Sequence, residues 1–350
     1  MEHANDVKAH VEQRSEEVRA KASRGAVLRT AIIVVALAVV IAVINVLTSG
    51  HFLTPGNITN VLRQITYNAI LGVGQTFVII TAGIDLSVGS MIQLSGVVMA
   101  TFANAVPLDG FPLIVATLCV GLGVGAVAGF VNALPVVRLG LPPFITTLAM
   151  MLIARGLAFK LSHGQPVPVH SNAFEGMGTG YIFSGILSKI GLPGIPIAVM
   201  WMVVIAVGFG IVLARTRFGR YVYAIGGNEE AARLAGINVA RVKTLVYVIC
   251  SCCAAVAGLL LMARFSSGSP QTGSGDELLQ SIAAVVVGGT SLMGGRGTIV
   301  GTFLGALLIG VLNNVMNLIN IESYTQEIVL GAVILLAVVL DELRKRYLTR

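Results

Sequence analysis

Charged side chains are scarce in this chain. Only 11% of its 350 residues are Asp, Glu, Lys or Arg, against 55% hydrophobic ones, and the mean hydropathy is +0.88. A soluble domain carries roughly 25% charged residues, so an ordinary water-facing globule is excluded. Histidine is rare too: His3, His10, His51, His163 and His170 are dispersed, and no clustered acid–base site is visible. The chain lacks a G-x-x-x-x-G-K-[ST] phosphate loop, an H-E-x-x-H zinc motif and a nucleophile elbow. Nothing marks it as an enzyme, and no catalytic residue is assigned. Cysteine is limited to Cys119, Cys250, Cys252 and Cys253, all inside apolar runs. With no His, Asp or Glu near it in sequence, Cys250-x-Cys-Cys reads as small buried helix residues rather than a metal site. No structural disulfide is implied.

What the chain has instead is long uncharged stretches. A bilayer crossing takes about 20 predominantly apolar residues. Candidate windows lie at 30–47, 64–84, 86–108, 110–137, 139–154, 190–214, 244–263, 278–295, 297–321 and 328–340, the fifth and last being short. The expected fold is therefore an all-α polytopic membrane protein with about ten transmembrane helices. Charge then sets the orientation. With both termini inside, the cytoplasmic segments hold 18 of the 23 Lys and Arg, leaving Arg63, Arg155, Lys160, Lys189 and Arg264 on the other face. That bias fits the positive-inside rule and gives an N-in, C-in topology.

The net charge of +7 is accordingly a topology signal. The basic residues are scattered over several loops without interleaved aromatics, so no nucleic-acid partner is expected. Residues 1–28 read as a mixed-charge cytoplasmic tail rather than a signal peptide, because the charged region is long and no small-residue cleavage site follows the apolar run. Residues 29–343 form the membrane domain, with a cytoplasmic loop at 215–243, and 344–350 a basic cytoplasmic tail. The longest non-cytoplasmic segment, about Ser162 to Pro196, reads as an ordered lip or a flexible loop. Gly301 and Gly305 form a G-x-x-x-G, which lets helices approach closely in lipid; packing within one chain is preferred over a dimerisation motif.

Glycines interrupt the apolar helices at two places. One is Gly83-Ile-Asp-Leu-Ser-Val-Gly89; the other is Gly288-Gly-Thr-Ser-Leu-Met-Gly-Gly-Arg-Gly297. Both fall on the cytoplasmic side, and their similar flavour hints at an internal repeat. Gly83, Asp85, Ser87, Gly89, Gly288, Gly289, Gly294 and Gly295 are the helix-break or gate candidates. Asp85 is the only acid between Glu17 and Asp109. A carboxylate at mid-membrane costs on the order of 2.5–3.5 kcal/mol on insertion scales, so its placement needs a reason. If Gly83 and Gly89 break the helix, Asp85 caps the one beginning near Leu86, with Ser87 assisting. The competing role is in a gate or pathway.

Between two apolar windows lies a charged island, Gly226-Gly-Asn-Glu-Glu-Ala-Ala-Arg-Leu-Ala-Gly236. Asn228 suits an N-cap, Glu229, Glu230, Ala231, Ala232 and Arg233 a short helix, and Gly236 its end. A polar helix of this kind is what a membrane protein presents to a soluble partner. Glu230-Ala-Ala-x-x-x-Gly236 resembles the coupling loop of permease subunits of ABC importers. Taken with the two glycine segments, in this order and over nearly the whole chain from about residue 30, the sequence resembles the permease of ribose-type sugar importers, whose relatives carry xylose, arabinose, galactosides and autoinducer-2. The Leu-Pro that often follows the coupling motif in other importer classes is missing here.

The resemblance implies a homodimer in the bacterial cytoplasmic (inner) membrane, with its pathway on or near the dimer axis. It implies an ATPase partner with nucleotide-binding domains in tandem, and a periplasmic or lipid-anchored sugar-binding protein. ATP and Mg would be used by the partner, and this chain would bind no cofactor and no metal. Asn228, Glu229, Glu230, Ala231, Ala232, Arg233 and Gly236 would form the ATPase-coupling helix, with Arg215, Arg217 and Arg220 at the headgroups. Possible pathway residues are the polar side chains within spans: Gln75, Thr76, Gln93, Ser95, Asn132, Asn313, Asn314 and Asn317. Hydrogen bonding between helices accounts for each equally well. Alternatives are an ion-coupled secondary carrier, a passive channel, and an ABC permease for nucleosides or branched-chain amino acids.

Overall fold

The structure, a computed structural model, describes residues 41–191, 193–273 and 276–348. The expected tail at 1–28 lies outside those residues, as does the first part of the 30–47 window. The chain divides into two compact units after Thr54. In the first, residues 41–47 are helical, and Thr48 Oγ1 closes the following turn by donating to Ile44 O at 2.9 Å.

The second unit is built almost wholly of helices: α1 (Pro55–Ile80), α2 (Val88–Ala105), α3 (Gly110–Leu139), α4 (Pro143–Leu161), α5 (Asn172–Thr179), α6 (Ile197–Arg215), α7 (Arg217–Gly227), α8 (Glu229–Leu234), α9 (Val239–Phe265), α10 (Asp276–Val287), α11 (Ile299–Leu318) and α12 (Ser323–Leu348). Their ends obey local rules. Asp109 caps α3 by accepting from Gly110 N, Gly140 closes it in the left-handed region, and Pro143 opens α4. Among the described residues, α2, α3, α4, α6, α9 and α11 are long and apolar enough to cross a membrane. α1 is longer than most of these but carries Asn57, Asn60, Arg63, Gln64 and Asn68 toward its N-terminal end.

Burial separates an inner layer from an outer one. The most apolar windows of α9 and α2 are 78% and 72% buried, whereas those of α3, α4 and α6 are only 28%, 28% and 22%. α9 runs through the centre, packed against α1, α2 and α3, while α10 and α11 pair with each other and with α1. The apolar outward faces of α3, α4 and α6 are what hydrocarbon accepts without cost.

The window 278–295 behaves differently from its neighbours. Only its first part is helical. α10 has 12 residues, about 18 Å at 1.5 Å per residue, well short of a roughly 30 Å hydrocarbon core. The rest of the window is the glycine loop. The G-x-x-x-G of α11 packs inside the chain: a Cβ on Gly301 would meet Gly288 O, and one on Gly305 would meet Ala284 O.

The described residues of 162–196 carry local secondary structure. β1 (Val167–Pro168) pairs with β4 (Ser267–Gly268), β2 (Tyr181–Ile182) with β3 (Ile195–Pro196), and α5 lies against α9. Asn104 Nδ2 and Arg63 Nη2 tie it to the bundle, donating to Pro168 O at 2.8 Å and to Thr179 O at 2.7 Å. At the other end of the chain, α12 continues helically to Leu348, so the basic residues from Arg344 extend the last helix.

Candidate functional site

The first break lies between α1 and α2. α1 stops because Ala82 takes a left-handed φ of 59° and Gly83 N turns back to Val78 O at 3.0 Å. The loop then passes through Asp85, which is fully buried. Asp85 Oδ1 accepts from Ser87 N at 2.8 Å and Ser87 Oγ at 2.6 Å. From α3, Asn132 Nδ2 donates to Ser87 Oγ at 3.0 Å and reaches Asp85 Oδ1 at 3.4 Å. From α1, Gln75 Nε2 donates to Asp85 O at 2.5 Å, and from α4, Thr147 Oγ1 donates to Ile84 O at 3.1 Å. Three helices besides α2 thus hold seven loop residues. Asp85 Oδ2 has no hydrogen-bond partner among the described residues.

Two details of the expected break are corrected. α2 begins at Val88, not near Leu86, and the Asp85 carboxylate bonds Ser87, the residue before the helix, so it shapes an Asx-type turn instead of capping the first turn of α2. Gly89 does not break the helix. It lies in the first turn of α2, where its missing Cβ lets Gly273 O approach; a Cβ would sit 2.5 Å from it.

The second break, between α10 and α11, is held by backbone. Gly288 N, Gly289 N and Thr290 N donate back to Ala284 O, Val286 O and Val285 O, and Gly289, Gly294 and Gly295 have φ of 85°, 85° and 73°. Thr298 Oγ1 caps α11 through Gly301 N at 2.9 Å. Here the two breaks meet. Gly295 N donates to Ile80 O at 2.9 Å, the carbonyl at the end of α1. α7 joins them: Gly226 lies so close to Ile80 O that any Cβ would overlap it, and Tyr223 Oη donates to Gly297 O at 2.6 Å.

The charged island follows directly. Asn228 ends α7 and caps α8, its Oδ1 accepting from Ala231 N at 2.9 Å. Gly236 closes the helix with φ of 82°, and Ile237 N reaches back to Ala232 O at 3.1 Å. Ala232 packs inward, while Glu230, Ala231, Arg233 and Leu234 are exposed, Leu234 by 85%. Glu229 is engaged within the chain: its carboxylate meets Lys243 Nζ at 2.5 Å and Arg233 Nη2 at 3.3 Å. Partial burial pushes that carboxyl up, but the hydrogen bond and charge of Lys243, then Arg233, more than offset it, and the group lies below its ordinary value of 4.5.

The polar span residues are mostly committed to hydrogen bonds, some to other helices and, for Ser95, within its own. Asn314 and Asn57 exchange amide hydrogen bonds at 2.8 and 2.9 Å, Thr76 meets Thr302 at 2.6 Å, Ser95 donates to Met91 O, and Asn317 accepts from Gln326 at 2.9 Å. Gln93 is buried with its Oε1 unpartnered, and Asn313 borders a cavity of about 450 Å³ that also touches Gln64, Gln280 and Glu327. Asn57, Tyr223 and Lys243 were not foreseen as partners of these groups. Their counterparts lie 257, 74 and 14 residues away, and no local pattern marks them.

These features define a polytopic membrane protein: a bundle with two broken helices whose breaks touch a polar helical loop. Residues 57–338 match the family described as branched-chain amino acid transport system / permease component, and the chain belongs to that family. It is 45% identical over 307 residues to the ribose import permease protein RbsC of Escherichia coli (strain K12), covering 88% of this chain and 92% of that one. It is 38% identical to the fructose import permease protein FrcC of Rhizobium meliloti (85% and 81% covered). Against the xylose transport system permease protein XylH of Haemophilus influenzae the identity is 36% (91% and 97% covered). No solved structure matches.

Proposed function

We propose that this chain is the membrane-spanning permease subunit of an ATP-binding-cassette importer for a monosaccharide. A separate binding protein delivers the sugar, and a partner ATPase, using ATP and Mg, drives its passage. The subunit spans the inner membrane of a bacterium about ten times, N-in and C-in, and works as a homodimer. The observation that carries this reading is the contact of α7 with both helix breaks at Ile80, Gly226 and Gly295, immediately before the exposed α8. A push on α8 therefore has a short, packed route to the points where two membrane helices are interrupted. The sugar class rests on the ribose, fructose and xylose permeases, which match over most of both chains.

The family description itself favours a second reading, a permease for branched-chain amino acids. One experiment separates the two. The chain is isolated from its native membranes in mild detergent and the copurifying proteins are identified by mass spectrometry. Recovery of an ATPase and a binding protein loaded with a sugar is the expected result. A binding protein loaded with leucine or valine would replace the substrate class. Recovery of this chain alone, after crosslinking, would overturn the importer assignment. Glu230→Lys is expected to abolish sugar-stimulated ATP hydrolysis while the bundle stays assembled, since Glu230 has no ion-pair partner among the described residues and faces out.

A further inference from the structure

The polar helix α8 does not stand alone at its end of the bundle. A groove of about 570 Å³ separates it from the end of α3 and the turn into α4. Arg138 and Leu139 line one wall, and Glu229, Arg233 and Lys243 the other. The charges do not balance. Glu229 already takes both Lys243 and Arg233, and Arg138 has no ion-pair partner among the described residues, so the groove keeps a cationic excess. Beside it stand exposed apolar side chains: Leu139 is 73% exposed, Leu141 40% and, on α8, Leu234 85%.

The turn carrying Leu139 and Leu141 is stiff. Gly140 has φ of 65°, its N–H and that of Leu141 both return to Pro135 O, and Pro142 and Pro143 follow. A surface that is already ordered gives up little entropy on binding. Apolar tips around a cationic cleft are the complement of an acidic protein segment with an apolar side chain at its centre. Bare hydrocarbon would leave Arg138 unsolvated and unpaired.

We propose that the α3–α4 turn is a second docking element for the ATPase partner, and that the groove between it and α8 receives an acidic, apolar-tipped segment of that subunit. The inference rests on the importer reading above and adds to it a contact outside the α8 motif. Because the turn belongs to α3, whose Asn132 holds the Asp85 loop, the partner would grip both sides of the first break.

The test uses the full importer, expressed with its ATPase and binding protein. A photoreactive benzoylphenylalanine is placed at Leu139 in one variant and at Leu234 in another, and both are expected to crosslink to the ATPase. Crosslinking from position 234 alone, with position 139 giving lipid adducts or none, would overturn the second element and leave the importer reading standing. Crosslinking from neither position, with no ATPase copurified, would remove both. In parallel, Arg138→Glu is expected to lower binding-protein-stimulated ATP hydrolysis about tenfold with the thermal midpoint of the permease unchanged. Undiminished stimulation would count against the groove.

Discussion

The two helix breaks are made in opposite ways. The 81–87 loop is closed by side chains: a buried carboxylate, a serine, and two amides and a threonine reaching in from three other helices. The 288–298 loop is closed mostly by backbone bonds, with three glycines at positive φ and Met293 75% exposed, and Tyr223 is the side chain that reaches it from another helix. Their similar sequences hinted at a repeat, but the likeness ends at composition. A loop pinned by side chains from several helices moves only with those helices. One closed by local backbone bonds can shift as a unit. From the contrast we expect the first break to act as a fixed point and the second as a hinge, with Ile80 O and Gly295 N as the seam between them.

The largest expected effect is at the fixed point. Asp85→Ala leaves the buried N–H and O–H of Ser87 without their acceptor and should destabilise the bundle by about 3 kcal/mol, read as a lowered thermal midpoint. Asp85→Asn keeps one acceptor oxygen and should be far milder. If both variants fall equally, negative charge matters there and hydrogen-bond acceptance does not. Next comes the seam. Gly226→Ala drives a methyl onto Ile80 O and should cost about 2 kcal/mol while lowering sugar-stimulated ATP hydrolysis. Preserved stimulation would mean that α7 transmits nothing through this contact.

Tyr223→Phe tests the hinge more gently. It removes the hydrogen bond to Gly297 O and should cost about 1 kcal/mol, with hydrogen exchange rising across 288–298 and not across 81–87. Equal change in both loops would erase the distinction. The smallest effect concerns Glu229. Its carboxyl titrates lower in the folded chain than unfolded, so the ion pair with Lys243 contributes fully above the ordinary value of 4.5 and is lost as pH falls through the lowered one. Hydrogen exchange in α8 should rise on that acid descent in the parent chain and show no such step in Glu229→Gln.

Legibility in the sequence followed distance along the chain. The α8 helix was readable in full, from Asn228 to Gly236, because a cap and a left-handed glycine act within one turn of themselves. Gly83 and the 288–295 glycines were found for the same reason, through local composition. Gly89 was misplaced because its small size serves a neighbour, Gly273, that no local pattern reveals. The polar span residues were visible as polar, but Asn314 needed Asn57, and Asn132 needed Ser87, before their tasks could be read.

The sequence by itself determined that this is a membrane protein, where its apolar stretches begin and end, how α8 is capped, and which family it resembles. Hydropathy and capping are short-range properties, summed over a window or satisfied within a turn. Only the tertiary structure decided that α9 is the buried centre, that α10 is a half-length helix, and that Ile80, Gly226 and Gly295 share one junction. Those facts depend on which backbones approach from distant parts of the sequence. In lipid, where every long helix is equally apolar, that choice is made by glycine fit and by a few buried polar partners.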